Sequence, residues 1–471
     1  MSTLNFLAAT SMAAQVREKK LSPVDLIEAH LHRIERVNPK LTAFVQVDAE
    51  GARKAARDAE AAVTRRDSLG PLHGVPISIK SSVDVMGLRC ETGTKLRDGY
   101  VAVHDAPLVA RLRAAGAIVL GVTNTPELLM AWETDNLLYG RTNNPRDVTR
   151  TPGGSSGGEA AAIAAGCSAG GVGSDGGGSI RVPAHFCGIC GLKPTPGRIP
   201  ATGHFPQSAG PFALTGVVGP LARTVADLKV LFEVMQGPDD GDPQAAPVPV
   251  RWPAANELRK LRIGYFEDDG RIPVTRETRD AVRRAAEALR HAGFEVEAVR
   301  PDGLEHAQQL WWKIFGIAGG MLLGPMTRGR EADLSPILKE FLSWVAAEPS
   351  HTGQSLLDTW LERDLLRMKV FARMRKFPVL LCPVAAIPAF RHGERSWRVE
   401  GKTVSYLDAW SYCEWFNLLG MPAAVVPMGQ SDEGLPVGVQ IVGRPWEEEI
   451  VLSVAEELEW QRGTWAGLWA E

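Results

Sequence analysis

Ser155 and Ser179 lie 24 residues apart in the chain, and each is hemmed by glycine. The first sits in Thr151-Pro-Gly-Gly-Ser-Ser-Gly-Gly-Glu-Ala, the second in Gly173-Ser-Asp-Gly-Gly-Gly-Ser-Ile-Arg-Val-Pro183. Glycine lets backbone approach a ligand closely or take positive φ, so a serine after three consecutive glycines sits where peptide N–H groups converge on one reacting atom. An acyl-transfer nucleophile needs that environment. It also needs a base for its proton, and no histidine lies between Gly153 and Ser179 to serve.

The same glycines fit two other patterns, each of which lacks its context. Gly153-Gly-Ser-Ser-Gly157 satisfies GxSxG, but a nucleophile elbow must follow a buried strand, and here a turn-rich run from Asn143 to Pro152 precedes it. Gly171-Val-Gly-Ser-Asp-Gly176 satisfies GxGxxG, yet Gly177, Gly178 and Pro183 spoil the helix that a dinucleotide site opens with. No Asp or Glu lies between Asp175 and Asp227 to hold a ribose. GxxxxGK[ST] and SxxK are absent, which removes a phosphate loop and the penicillin-binding class.

The run from Gly153 to Lys193, GGSSGGEAAAIAAGCSAGGVGSDGGGSIRVPAHFCGICGLK, resembles the signature of the amidase signature family, serine hydrolases with a Ser–Ser–Lys triad. The resemblance extends through His73-Gly-Val-Pro-Ile-Ser-Ile-Lys80, Leu214 to Asp227, Phe416-Asn-Leu-Leu-Gly-Met-Pro-Ala-Ala and Gly434 to Pro445. It leaves out about 240 to 375, where the family varies and where the substrate is usually chosen. It implies an α/β fold, a central twisted mixed sheet covered on both faces by helices. It also implies that Ser179 is the nucleophile, Ser155 a bridging serine on a cis peptide bond and Lys80 the base. Oxyanion donors fall on the backbone of Gly176, Gly177, Gly178 and Ser179, with Asp175 and Arg181 bracing the loop and Ser156 in the network. Leu129, Met130 and Trp132 should approach the acyl or leaving-group side. At Gly176 many relatives carry Thr or Ile, and glycine there should leave the loop freer.

On spacing alone Lys80 reads as a surface lysine closing a strand. To act as a base it must be neutral, which means lowering its pKa from about 10.4 to about 7–8, roughly 4 kcal/mol, by burial. His185 and His204 read as packed structural histidines, not as a triad base. The chemistry calls for no cofactor. Cys187 and Cys190 form a CxxC without a second pair or spaced histidines, so a metal is not expected.

Helical and strand signals alternate along the chain. Ser22-Pro23 opens a helix that Asn38-Pro39 should stop at Val37, and a second helix covers Ala49 to Arg65. Val75 to Lys80 alternates as a strand. Asp105 should cap a helix through Ala115, followed by a strand from Ala117 to Val122. Ser156 to Ala165 is helical, and Thr224-Val-Ala-Asp227 opens a helix in capping-box style. Later strands are expected near 261–266, 294–299, 379–382, 423–427 and 437–442. Residues 304 to 376 read as three helices whose aromatic and Met side chains pack a core, with lining of a pocket for an apolar or aromatic amide as the alternative.

The chain of 471 residues carries 52 basic against 55 acidic residues and no block of like charge, so a nucleic-acid partner is not expected. No segment reads as a signal peptide or membrane span, which suggests a cytoplasmic protein. With no linker, residues 1–471 read as one domain: a signature core at 70–235, a variable helical region at about 240–375 and a C-terminal part at 376–471 that completes the core. The expected substrate is a small apolar or aromatic amide, with esters or carbamates (urethanes) as alternatives, turned over by a monomer or homodimer. Two rivals stay open, a non-enzymatic scaffold and a tRNA-dependent amidotransferase component that works in a complex. Leu214-Thr-Gly-Val-Val-Gly-Pro220 stands where those components usually carry a Ser-Leu-Asp-Gln block, which counts against the second.

Overall fold

The computed structural model describes residues 3–300 and 303–463. Thirteen strands form among them: β1 (Phe44–Val47), β2 (Pro76–Lys80), β3 (Ile118–Thr123), β4 (Gly170–Asp175), β5 (Cys190–Lys193), β6 (Val217–Ala222), β7 (Arg262–Tyr265), β8 (Glu295–Ala298), β9 (Val379–Pro383), β10 (Ser396–Val399), β11 (Lys402–Ser405), β12 (Ala423–Gln430) and β13 (Pro436–Gly443). Eleven make one sheet in the order β1-β3-β2-β4-β6-β5-β12-β13-β9-β7-β8, and β10 and β11 pair separately as a hairpin. The large sheet is mixed: β2 runs parallel to β3 and β4, while β4, β6, β5, β12, β13 and β9 alternate in direction. Helices flank it, as the family resemblance implies.

The strand alternation at Val75–Lys80 does not become an exposed face. Every residue of β2 is buried, Lys80 included, because β3 and β4 pair with it on either side and helices cover the sheet. Next to it, β4 is glycine-rich for a packing reason. A Cβ on Gly171 would stand 2.0 Å from Glu159 Oε1, and one on Gly173 would stand 2.8 Å from Ser156 Oγ. The missing side chains let the start of the alanine-rich helix Gly157–Ala164 settle directly onto the sheet.

Three helix-boundary expectations need correction. The helix opened by Ser22 runs Pro23–Leu41 with Pro39 inside it, and the end comes where Thr42 turns left-handed. Asn38 stabilises that exit by accepting from the Ala43 and Phe44 N–H groups. Asp105 does not cap the helix Pro107–Ala114; it accepts from Met86 N and pairs with Arg113. Thr224 does cap its helix through Asp227 N, but the Asp227 carboxylate does not complete the box. It reaches across 218 positions to accept from Ala9 N, and it also takes the Thr10 N–H, tying the N-terminal helix Ala9–Arg17 down.

The expected helices after residue 304 are present at Ala307–Trp311 continuing through a π-helical turn to Thr327, at Pro336–Ala346 and at Gly353–Arg373. All six cysteines are free and buried. Among the described residues no helix is long and apolar enough to cross a membrane.

Candidate active site

Lys80, at the C-terminal end of β2, is 0% exposed. Its Nζ lies 2.7 Å from Ser155 Oγ and 3.0 Å from both Ser156 Oγ and Ser174 Oγ. Burial holds the amine well below the usual lysine range, and the carboxylates of Asp175 and Glu159 offset this only in part. A neutral amine has two N–H groups and one lone pair, which matches three hydroxyl neighbours. Ser156 Oγ already donates to the Ser174 carbonyl, so it is free to accept from Lys80. That arrangement leaves the lone pair for the Ser155 hydroxyl.

Beneath Lys80, Ser78 Oγ and Thr123 Oγ donate to Glu159 at 2.6 and 2.7 Å. Burial pushes the Glu159 carboxyl up to about 8 against those hydrogen bonds. Gly154–Ser155 is a cis peptide bond. Ser179, 8% exposed, and Ser155 line one cavity, without a direct hydrogen bond between their hydroxyls.

The glycine loop between β4 and the helix Arg181–Cys187 is braced from below. Asp175 Oδ1 accepts from Gly178 N at 2.7 Å and Arg181 Nη2 at 3.0 Å; Oδ2 accepts from Ile180 N and Arg181 Nε, each at 3.0 Å. Burial alone would raise the Asp175 pKa, but Arg181 holds it well below the carboxylate range. Asn417 adds Nδ2 donors to Asp175, and Arg181 also donates to Asn417 Oδ1 and Gln440 Oε1.

From above, two indoles grip the loop. Trp311 Nε1 donates to the Gly176 carbonyl at 2.7 Å, and Trp132 Nε1 donates to the Gly177 carbonyl at 2.8 Å. In a trans peptide C=O and N–H point opposite ways, so anchoring the Gly176 carbonyl aims the Gly177 N–H away from Trp311. The Gly178 carbonyl accepts from Val182 N, which likewise directs the Ser179 N–H away from the helix. Among the described residues the N–H groups of Gly176, Gly177 and Ser179 have no acceptor, whereas Gly178 N–H is spent on Asp175. One of the four N–H groups that the resemblance offers as oxyanion donors is thus already bonded within the protein.

Nor is the loop freer for having Gly176. A Cβ there would stand 2.5 Å from the Phe315 ring, and one on Gly177 would stand 2.5 Å from Trp311. Aromatic rings fill the space that the side chains give up.

Two lobes of about 50 and 20 Å³ meet at Ser179. Ser155, Ser174, His204 and Phe212 line the first; Trp132, Gly177, Trp311 and Phe341 line the second; Leu129, Met130 and Phe315 border both. Leu128 and Leu129 hold left-handed φ of 50° and 69°, a conformation leucine adopts only at a cost in strain. Leu129 and Met130, expected to approach a substrate, thus border both lobes, and Trp132 lines the second. A larger groove of about 930 Å³ opens beyond Trp311, and Ser155, Ser156, Ser174 and Ser179 are not among its lining residues.

His185 is structural as expected: its Nδ1 accepts from Gly438 N at 2.7 Å and its Nε2 lies 3.1 Å from the Ile387 carbonyl. Four neighbours of the site went unassigned from sequence. Ser174 precedes the bracing Asp175 in a strand with no polar pattern of its own, and Asn417 lies in a quoted family block without an assigned part. Trp311 and Phe315, four residues apart, carried the spacing of a helix face and read first as core, with pocket lining as the alternative.

The amidase family model matches residues 25–452, and the chain belongs to the amidase signature family, whose members hydrolyse amides. It is 35% identical to an indoleacetamide hydrolase of Bradyrhizobium diazoefficiens, over 98% of this chain and 87% of that one. It is 34% identical to a glutamyl-tRNA(Gln) amidotransferase subunit of Roseiflexus castenholzii, over 94% of each. Among solved structures, a bacterial aryl acylamidase superposes with a TM-score of 0.85 at 27% identity, over 99% of this chain and 98% of that one.

Proposed function

We propose that this chain is a serine amidohydrolase that cleaves the C–N bond of a small apolar or aromatic linear amide through an acyl-enzyme on Ser179. The observation that carries the reading is the buried Lys80 amine, 2.7 Å from Ser155 Oγ in the cavity that Ser179 borders. Lys80 takes the Ser155 proton as Ser155 takes that of Ser179, and Ser179 Oγ attacks the carbonyl carbon. Apo hydroxyls commonly tighten their contacts only with substrate bound, and rotation of Ser179 about χ1 closes the relay. The N–H groups of Gly176, Gly177 and Ser179 receive the oxyanion. The proton then returns from Lys80 through Ser155 to the leaving nitrogen, the C–N bond breaks, and water releases the acid by the same relay.

The aromatic lobe of Trp132, Trp311 and Phe341 suits a flat acyl group, and its narrowness favours a small one. The tetrahedral intermediate of an ester or carbamate has the same shape, so both are expected as side substrates. The enzyme is read as acting without a different partner subunit, as a monomer or homodimer in the cytoplasm.

Ser179→Ala is expected to abolish hydrolysis, and Lys80→Ala to slow it about 10²–10⁴-fold while leaving the chain folded. A fluorophosphonate probe should label Ser179 by peptide mass mapping. Near-normal turnover by folded Lys80→Ala protein would overturn the mechanism. Anilides, aliphatic amides, esters, aryl carbamates and glutamine assayed side by side on the purified chain settle substrate class. Glutaminase activity that appears only in a complex would favour the amidotransferase reading suggested by the Roseiflexus relative.

A further inference from the structure

One residue lining the first lobe carries a polar atom with nothing to bind. His204 Nδ1 lies 2.9 Å from the Pro206 carbonyl. A carbonyl only accepts, so Nδ1 carries the ring proton. Burial holds the imidazole neutral, with its pKa lowered to about 4. Nε2 is therefore a bare lone pair. It is buried, and among the described residues it has no hydrogen-bond partner, while His204 is one of the residues lining the lobe that also contains Ser155 and Ser179. A buried acceptor left unpaired is costly, and an enzyme pocket is where a ligand can supply the missing donor.

Of the other polar side chains lining this lobe, Ser179 is read as the nucleophile and Ser208 also borders it, while the rest are committed. Ser155 and Ser174 serve Lys80, and both oxygens of Asp175 hold the glycine loop. Apolar Leu129, Met130, Phe212 and Phe315 supply most of the remaining wall. Ser155 lines this lobe and not the aromatic one, so a leaving group that receives its proton through Ser155 must depart on the His204 side.

We propose that His204 is a specificity-determining residue whose Nε2 accepts a hydrogen bond from the N–H of the leaving amine. The site thereby selects primary and secondary amides, and carbamates cleaved at C–N, over esters of the same shape. The inference rests on the Ser179 acyl-enzyme reading. When the amide nitrogen becomes pyramidal in the tetrahedral intermediate, its new lone pair must face Ser155 to be protonated. Holding the N–H at His204 fixes the nitrogen in that orientation. An ester oxygen has no hydrogen to offer and sets its own lone pairs against Nε2, the kind of mismatch by which a polar site rejects an analogue.

The test is kcat/KM for an anilide and the phenyl ester of one acyl group, with wild type, His204→Phe, His204→Leu and His204→Gln, each checked by thermal melting. The two acceptor-less variants should lower the anilide-to-ester ratio about 10–100-fold, and Gln, which keeps an acceptor oxygen, should recover part of it. If wild type shows no ester turnover, its appearance in His204→Phe counts for the proposal as well. A ratio unchanged within about twofold in either folded acceptor-less variant overturns it, because loss of packing alone would slow both substrates together. Retained turnover by Ser179→Ala would instead remove the underlying acyl-enzyme reading, whatever the His204 variants do.

Discussion

Taking the Lys80 amine out of water removes the solvation that keeps a lysine charged, and three hydroxyls at 2.7–3.0 Å replace that water. The sign of the pH dependence follows. The folded-state pKa is depressed by burial, so the amine is neutral above that value and protonated below it. As pH falls through it, the relay loses its proton acceptor, and kcat/KM should drop along a limb of unit slope. The residual activity of Lys80→Ala should be flat across the same range, and a limb that survives in the variant would assign the titration to another group. Asp175 presents the opposite case, a buried carboxylate that balances buried Arg181. Asp175→Asn should cost about 3–5 kcal/mol in urea unfolding, because it strands the guanidinium. Lys80, Ser155, Ser179 and Asp175 were legible because they lie in blocks whose spacing is specific, although composition alone would have left Lys80 on the surface. Ser174 and His204 were not legible in the same way. Their parts depend on which hydroxyl or lone pair faces a cavity, and that is set by the course of loops with no periodicity.

At the scale of elements, the glycine loop works because neighbouring segments hold its carbonyls. Trp311 comes from the helix beginning at Ala307 and Trp132 from the loop after β3, so two distant stretches of chain orient consecutive peptide planes. Trp311→Phe keeps the ring against Gly177 but removes the indole donor from the Gly176 carbonyl. The expected result is a fall of about tenfold in kcat with little change in thermal midpoint, since a loosened oxyanion donor costs less than the 10²–10³ of a deleted one. A midpoint drop without loss of kcat in steady-state assays would mean that the indole only packs. The strands near 261–266, 294–299, 379–382, 423–427 and 437–442 were legible from apolar runs bounded by turn residues, and each forms within a few positions. Helix ends were less so. Pro39 is tolerated inside the last turn of its helix, whose exit Asn38 and a left-handed Thr42 set, and Asp227 spends its carboxylate on a helix 218 residues away, where a long-range partner overrides the local signal.

Strand order belongs to the whole molecule and has no trace in local pattern. The C-terminal strands β12 and β13 insert between β5 and β9, in the middle of the sheet, while the N-terminal β1, β3 and β2 build one edge against β4. The variable helical region is carried on the same frame, since β7 and β8, which precede it, pair onward to β9, which follows it. No cut along the chain separates this sheet into two self-contained cores. Length alone would suggest several folding units, but the interleaving argues for one cooperative transition. Tryptophan position supplies a clean check. All 13 tryptophans lie at or after position 132, so fluorescence reports on the later part of the chain and far-UV circular dichroism on all of it. Urea titrations followed by the two signals should give coincident midpoints. A chain ending at residue 375, lacking β9, β12 and β13, should fail to show any cooperative transition, because β5 then loses a neighbour and β7 and β8 lose the pairing with β9 that joins them to the sheet. Separated midpoints in the full-length protein, with the dichroism change preceding the fluorescence change, would mean that the segment before Trp132 unfolds by itself.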